Sequence, residues 1–143
     1  MSRSTAFAVV AASVVSLAVP ALAPAKGDVR ATITSPTRCD VAAGKRITVR
    51  FRLAAMDETG ARRPFGAAGI FVVLRRHGAA GVKRPATALG EGTGRYTAQL
   101  TVPRGGIKRI DVGVEGTATS ADGTVRPAPF LFPVERDPCR SAR

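Results

Sequence analysis

Few residues of this chain are placed to do covalent chemistry. The one histidine, His77, follows Arg75 and Arg76 and precedes Gly78. Any Ser–His–Asp or Cys–His site would have to use it. No G-x-S-x-G turn accompanies it, and a charged run ending in Gly reads as an exposed turn. Asp57 and Glu58 are adjacent, so in extended chain their side chains point apart. Asp111 and Glu115 lie an even number of residues apart and could share one strand face with Arg109, where a surface ion pair is their expected use. Glycoside hydrolysis needs two facing carboxylates, one of them desolvated, and no spacing here supplies that. Beyond residue 25, soft-metal ligands are limited to His77, Met56 and the cysteines, without a His pair or a Met-rich segment. The D-x-D-x-D-G calcium pattern is missing. The expectation is a non-enzymatic protein with no catalytic residue, cofactor or metal site.

The two cysteines, Cys39 and Cys139, lack the C-x-x-C spacing of a redox motif. Joined to one another they would close a loop of about 100 residues, worth roughly 4–5 kcal/mol if the bond acts by constraining the unfolded chain. In an oxidising compartment a structural disulfide is the expected state. Free thiols and pairing with another chain are the alternatives.

The arginines carry the other chemistry. The chain has 22 Lys and Arg against 10 Asp and Glu, a formal +12. In the segment 45–53, Ile47, Val49, Phe51 and Leu53 alternate with Arg46, Thr48, Arg50 and Arg52, so those arginines point away from the core. Arg95 and Arg109 point outward by the same parity in their own segments. If these strands are neighbours, Arg46, Arg50, Arg52, Arg95 and Arg109 line one sheet face. Guanidinium forks suit phosphate and carboxylate. Outside a cell such a face would meet wall polymers, anionic lipid heads or extracellular DNA. With one Tyr and six Phe, one of them near the N-terminus and Phe51 and Phe71 in core positions, stacking platforms for single-stranded nucleic acid are not apparent. No specific nucleic acid is expected. Arg and Ala also share GC-rich codons, so part of the excess follows from nucleotide composition.

These residues need strands to hold them. Gly, Pro, Thr and Val recur throughout, and no long stretch has a 3.6-residue apolar period. Candidate strands are 29–34, 45–53, 70–75, 87–89, 95–102, 109–114 and 130–135. Residues 70–75 form a continuous apolar run suited to a central strand covered on both faces. Residues 57–65, 77–85 and 116–123 read as loops, and Val125 begins a further segment. About seven short strands with turns between them predict an all-β fold, a single immunoglobulin-like β-sandwich.

The stretch 94–103 runs from Gly94 through Tyr96, Ala98, Leu100 and Val102 to Pro103. It resembles the G-x-Y-x-A-x-V-x-V-P signature of bacterial exported Ig-like domains, the YtkA-like group among them. The stretch 64–74 is similar to that family's P-x-x-G-A-x-V-x-V-x-L segment, and the layout resembles small secreted proteins of GC-rich actinobacteria. The resemblance implies that Gly94 opens a strand, Tyr96 packs inward and Pro103 closes the strand. It also implies, as an alternative function, periplasmic or extracellular copper handling. That role finds no ligand set among the residues here.

The N-terminus has the parts of a secretory signal peptide. Arg3 precedes an uncharged apolar run, 6–19, and small residues follow at Ala21, Ala23 and Ala25. Cutting after Ala25 avoids placing Pro24 just past the scissile bond. The run is shorter than the roughly 20 residues that span a bilayer. The expected organisation is a signal peptide at 1–25 and one domain at 26–143, secreted or associated with the cell envelope, with no membrane span after cleavage. The processed chain keeps 21 Lys and Arg against 10 acids, a net +11. Its expected partners are anionic cell-envelope polymers or another envelope protein.

Overall fold

The computed structural model describes residues 28–140. The expected signal peptide at 1–25 lies outside them. Twelve strand segments are present: β1 (Val29–Ser35), β2 (Arg46–Met56), β3 (Arg62–Pro64), β4 (Ile70–Arg76), β5 (Ala79–Pro85), β6 (Thr87–Ala88), β7 (Arg95–Thr101), β8 (Arg109–Val114), β9 (Thr117–Thr119), β10 (Val125–Pro127), β11 (Phe130–Phe132) and β12 (Val134–Arg136). The first sheet has the order β12-β1-β2-β7-β6, with β3 also paired to β2. The second has the order β11-β8-β4-β5, and β9 and β10 form a separate hairpin. Pairing is antiparallel except between β1 and β12. The chain passes between the sheets in the Greek-key manner of an immunoglobulin-like sandwich, with β1, β2 and β7 opposing β4, β8 and β11.

The alternation read in β2 is what drives this. Ile47, Val49, Phe51 and Leu53 are buried, as are Tyr96, Ala98 and Leu100 on β7. They meet Ile70, Val72 and Leu74 of β4 and Ile110, Val112 and Val114 of β8 in one core. Phe51 and Tyr96 are cross-strand partners with stacked rings 5.5 Å apart. Each fully buried large side chain such as Leu53, Leu74 or Leu100 contributes about 1.5–3 kcal/mol of burial. No helix among the described residues is long and apolar enough to cross a membrane.

Three stretches expected to be loops contain strands. β5 lies within 77–85, β3 within 57–65 and β9 within 116–123. β5 is an edge strand, so Lys83 and Arg84, which point to opposite faces, are both exposed and no alternating pattern marks it. The expected last strand divides at Pro133. β11 pairs with β8 in the second sheet, and β12 crosses to pair with β1 in the first.

β4 is covered on both faces, as its apolar run predicted. Its outward residues, Phe71 and Val73, are 3% and 5% exposed. They lie over glycines of the two neighbouring strands. A Cβ on Gly113 would stand 2.5 Å from the Phe71 ring and from Phe130 O, and one on Gly81 would stand 2.6 Å from Val73 Cγ1. Lys83 caps the Phe71 ring with its Nζ 4.0 Å from the centroid and pairs with Glu115.

Candidate functional site

The outer face of the first sheet is built by parity on β2 and β7. Arg46, Arg50 and Arg52 of β2 and Arg95 of β7 all point from it into solvent. Arg52 stands directly opposite Arg95, Arg50 opposite Thr97 and Arg46 opposite Thr101. On the other side of β2, Arg52 faces Thr32 of β1. Among the described residues these four arginines make no ion pair. Like charges directly opposite one another on a sheet destabilise it, by up to about 1 kcal/mol where water screens them.

At the β3 end the face hollows into a concavity of about 380 Å3, lined chiefly by Thr32, Thr34, Arg52, Ala54, Arg62 and Arg63. Arg62 and Arg63 already hold carboxylates. Arg62 donates from both terminal nitrogens to Glu135, at 2.7 and 2.8 Å, and Arg30 Nε lies 3.8 Å from the same group. Arg63 Nε donates to Asp57 Oδ2 at 2.8 Å. Arg52 is therefore the cation at this concavity with no carboxylate partner among the described residues.

Asp57 is committed to its turn. Its Oδ1 accepts hydrogen bonds from the Thr59 hydroxyl at 2.6 Å and the Thr59 and Ala61 amides at 2.9 and 3.0 Å. Those bonds and the one from Arg63 hold its carboxyl well below the usual range. Hydrogen bonding from Arg62, and the charges of Arg62 and Arg30, likewise lower Glu135. A carboxyl lowered on folding stabilises the native state above its unfolded pKa, and that contribution is lost as the pH falls through its folded pKa. The thermal midpoint should therefore drop on acidification below about pH 5, and Glu135→Gln should flatten part of that drop. Melts of both proteins across pH 3–7, a range set by ordinary carboxylate values, check this. Parallel curves would remove Glu135 as a source.

Arg109 is not on this face. It begins β8, in the second sheet, where it is the cross-strand partner of Arg75. Parity showed that it points outward but not from which sheet. It is also committed to Asp111. Arg75 Nε donates to Asp111 Oδ2 at 2.7 Å, and Arg109 Nη2 reaches the same oxygen at 3.2 Å. Arg109 Nε lies 2.8 Å from Oδ1 without the angle of a hydrogen bond. Asp111 is only 7% exposed, although its strand position predicted a wet face. The expected pairing of Asp111 with Arg109 is present, while Glu115 instead pairs with Lys83.

Cys39 and Cys139 are joined in a disulfide, with Cα atoms 5.1 Å apart. Asp137 lies beside them, and its Oδ1 accepts the Cys139 amide hydrogen at 2.9 Å. These three residues form the grouping of metal-type ligands found among the described residues, but both sulfurs are engaged in their mutual bond. His77 lies in the exposed turn between β4 and β5, and Met56 ends β2 at the opposite end of the sandwich. The fold does not bring those two soft ligands together. Asp57 and Glu58 do not form a facing pair within a cleft either.

Sequence reasoning missed Arg62 and Arg63 as part of the concavity, because β3 was read as loop. The signal available was the Arg62–Pro64 triplet directly after the Asp57–Gly60 turn. The chain matches no family model, no curated protein and no solved structure, so nothing there identifies a YtkA-like family.

Proposed function

We propose that this protein is an exported, non-enzymatic binding domain that works through its basic surface on anionic polymers of the cell envelope. The reading is carried by one observation: Arg46, Arg50, Arg52 and Arg95 share a solvent-facing sheet surface without carboxylate partners among the described residues. Holding four like charges on one face works against stability, and a polyanion removes that repulsion on binding. The threonines between the arginines add hydroxyl donors at the same level. The disulfide fits an oxidising compartment, and the apolar leader at 1–25 has the pattern of an export signal.

The test is binding of the purified protein to its isolated envelope across a salt series. We expect affinity to fall steeply with salt. Arg50→Gln with Arg52→Gln should weaken binding and lower the log–log salt slope by about one for each phosphate left without its arginine. Binding that ignores salt would replace this reading with a specific protein partner in the envelope. Absence of binding would reduce the basic face to composition.

A further inference from the structure

We infer that the polymer is seized mainly at one end of the sandwich, and that this end takes a linear, phosphate-bearing chain. The inference rests on the polyanion reading above and locates its principal contact.

The strand directions gather the charge. β1, β4 and β7 finish at the same end at which β2, β5 and β8 begin. The loops 36–45, 77–78 and 102–108 and the segment 137–140 therefore meet there. Hydrogen bonds tie them together: the Val102 amide donates to Lys45 O at 2.8 Å, the Lys108 amide to Arg75 O at 2.8 Å, and Arg76 Nη1 to Arg104 O at 3.3 Å. The disulfide joins the loop after β1 to the tail after β12.

The loop between β1 and β2, with the first residue of β2, brings Arg38, Lys45 and Arg46 to this end. The end of β4 adds Arg75 and Arg76. The chain between β7 and β8, with the first residue of β8, adds Arg104, Lys108 and Arg109, and the tail adds Arg140. Among the described residues that makes nine Lys and Arg, against three acids: Asp40, Asp111 and Asp137. Asp111 is enclosed by two of the nine, and Asp137 is turned inward, 8% exposed, to the Cys139 amide. The opposite end holds the other seven described acids, Asp57, Glu115 and Glu135 among them, against six Lys and Arg. Several of those are matched in pairs, such as Arg62 with Glu135 and Lys83 with Glu115. Arg50, Arg52, Arg95 and Arg136 lie between the two ends. One end thus carries six net positive charges (nine less three), and the other one net negative charge (six less seven).

Distance keeps this imbalance in force. A seven-residue strand spans roughly 23 Å, against a Debye length of about 8 Å in physiological salt. The far end does not cancel the field of the basic one, so a polyanion meets the molecule end first.

The shape and chemistry of the end select the partner. Seven of its nine cations are arginines, whose forks match phosphate oxygens. A groove of about 430 Å3 opens at this end, lined by Arg38, Asp40 and Ile107 along the disulfide. The exposed large apolar side chains, Met56, Leu89, Val125 and Leu131, all lie away from this end. It offers nothing to insert into a bilayer, and a groove suits a chain better than a plane.

The experiment titrates the protein with inorganic polyphosphate of fixed length, by calorimetry at several salt concentrations. Among the described residues, Arg38, Arg104 and Lys108 have exposed side chains that make no ion pair or side-chain hydrogen bond, so their substitution is expected to leave folding intact. Arg38→Gln, Arg104→Gln and Lys108→Gln together should weaken binding about tenfold or more at low salt and cut the salt slope by up to about three. The charge-matched set Arg30→Gln, Arg84→Gln and Arg126→Gln, at the other end, should change both far less. Equal losses from the two sets would overturn the inference, leaving net charge alone as the cause. Loss confined to Arg50→Gln with Arg52→Gln would overturn it too, while the polyanion reading stands. If the unaltered protein binds neither polyphosphate nor envelope, both fall. Equally tight binding to phosphatidylglycerol vesicles, at matched phosphate, would overturn the linear polymer in favour of a membrane surface.

Discussion

Cys39→Ser is expected to lower the thermal midpoint by roughly 15–20 °C. The bond joins residues 100 apart, and closing a loop of that size removes about 4–5 kcal/mol of freedom from the unfolded chain. For a domain near this length each kcal/mol shifts the midpoint by about 4 °C. The native side of the balance points the same way. β12 has only three residues, runs parallel to β1, and is followed by a tail whose fixed anchor is Cys139. Both cysteines sit half-buried against the core. Without the bond, β12 should fray first, and its amides should exchange hydrogen faster than those of β2. Calorimetry in non-reducing buffer checks the midpoint. Adding reductant to the unaltered protein should reproduce the loss, and the double variant Cys39→Ser with Cys139→Ser should match the single one. A midpoint that moves in none of these would show that the bond is not a staple.

How far the fold was legible follows from where each residue sits. β2 and β7 have one buried and one wet face, so alternation places Phe51, Leu53, Tyr96 and Leu100 correctly. The same logic fails on the second sheet, because it assumes that the alternate face is wet. Phe71 and Val73 occupy the outer side of β4, and Gly81 and Gly113 on the flanking strands make room for them. The glycines that make β5 and β8 look weak as strands are thus the residues that let β4 be covered twice. Asp111 is buried for a related reason: Arg75 comes from β4, 36 residues away, and no local pattern announces that it will arrive. The candidate site was legible on one sheet only. Arg46, Arg50, Arg52 and Arg95 lie on adjacent strands, but Arg109 follows a Greek-key crossing, and period-2 reasoning cannot say to which sheet a crossing leads. The collection of basic loops at one end was invisible for the same reason, since it depends on strand direction more than on any single segment.

Gly94→Ala should cost about 3 kcal/mol, an effect large for a single methyl group. Gly94 has φ +64°, where an alanine is disfavoured by about 1–2 kcal/mol. Space is the larger obstacle. An added Cβ would stand 2.5 Å from Leu53 O, 3.1 Å from Phe65 N and 3.2 Å from Pro64 Cα, all of them backbone atoms. That backbone is itself fixed. The Leu53 amide donates to Gly94 O at 2.7 Å, and the Phe65 amide donates to Leu53 O at 3.0 Å, at the point where β3 succeeds β7 beside β2. Nothing there yields as a flexible side chain would, so strands must part. Gly44→Ala separates the two causes, because Gly44 has φ +80° with nothing within 4 Å of its Cβ position. It should cost only the backbone penalty, about 1 kcal/mol. Chemical denaturation of both variants measures the difference, and a Gly94 variant as mild as the Gly44 one would mean that the crowding is relieved elsewhere. The consequence reaches the proposed site. Arg95 follows Gly94 directly and stands opposite Arg52. Moving β7 away from Leu53 therefore moves one arginine of the face relative to its neighbour. Gly94→Ala should weaken envelope binding beyond what its stability loss explains, in conditions where the variant remains folded, whereas Gly44→Ala should leave the Arg52–Arg95 pairing in place.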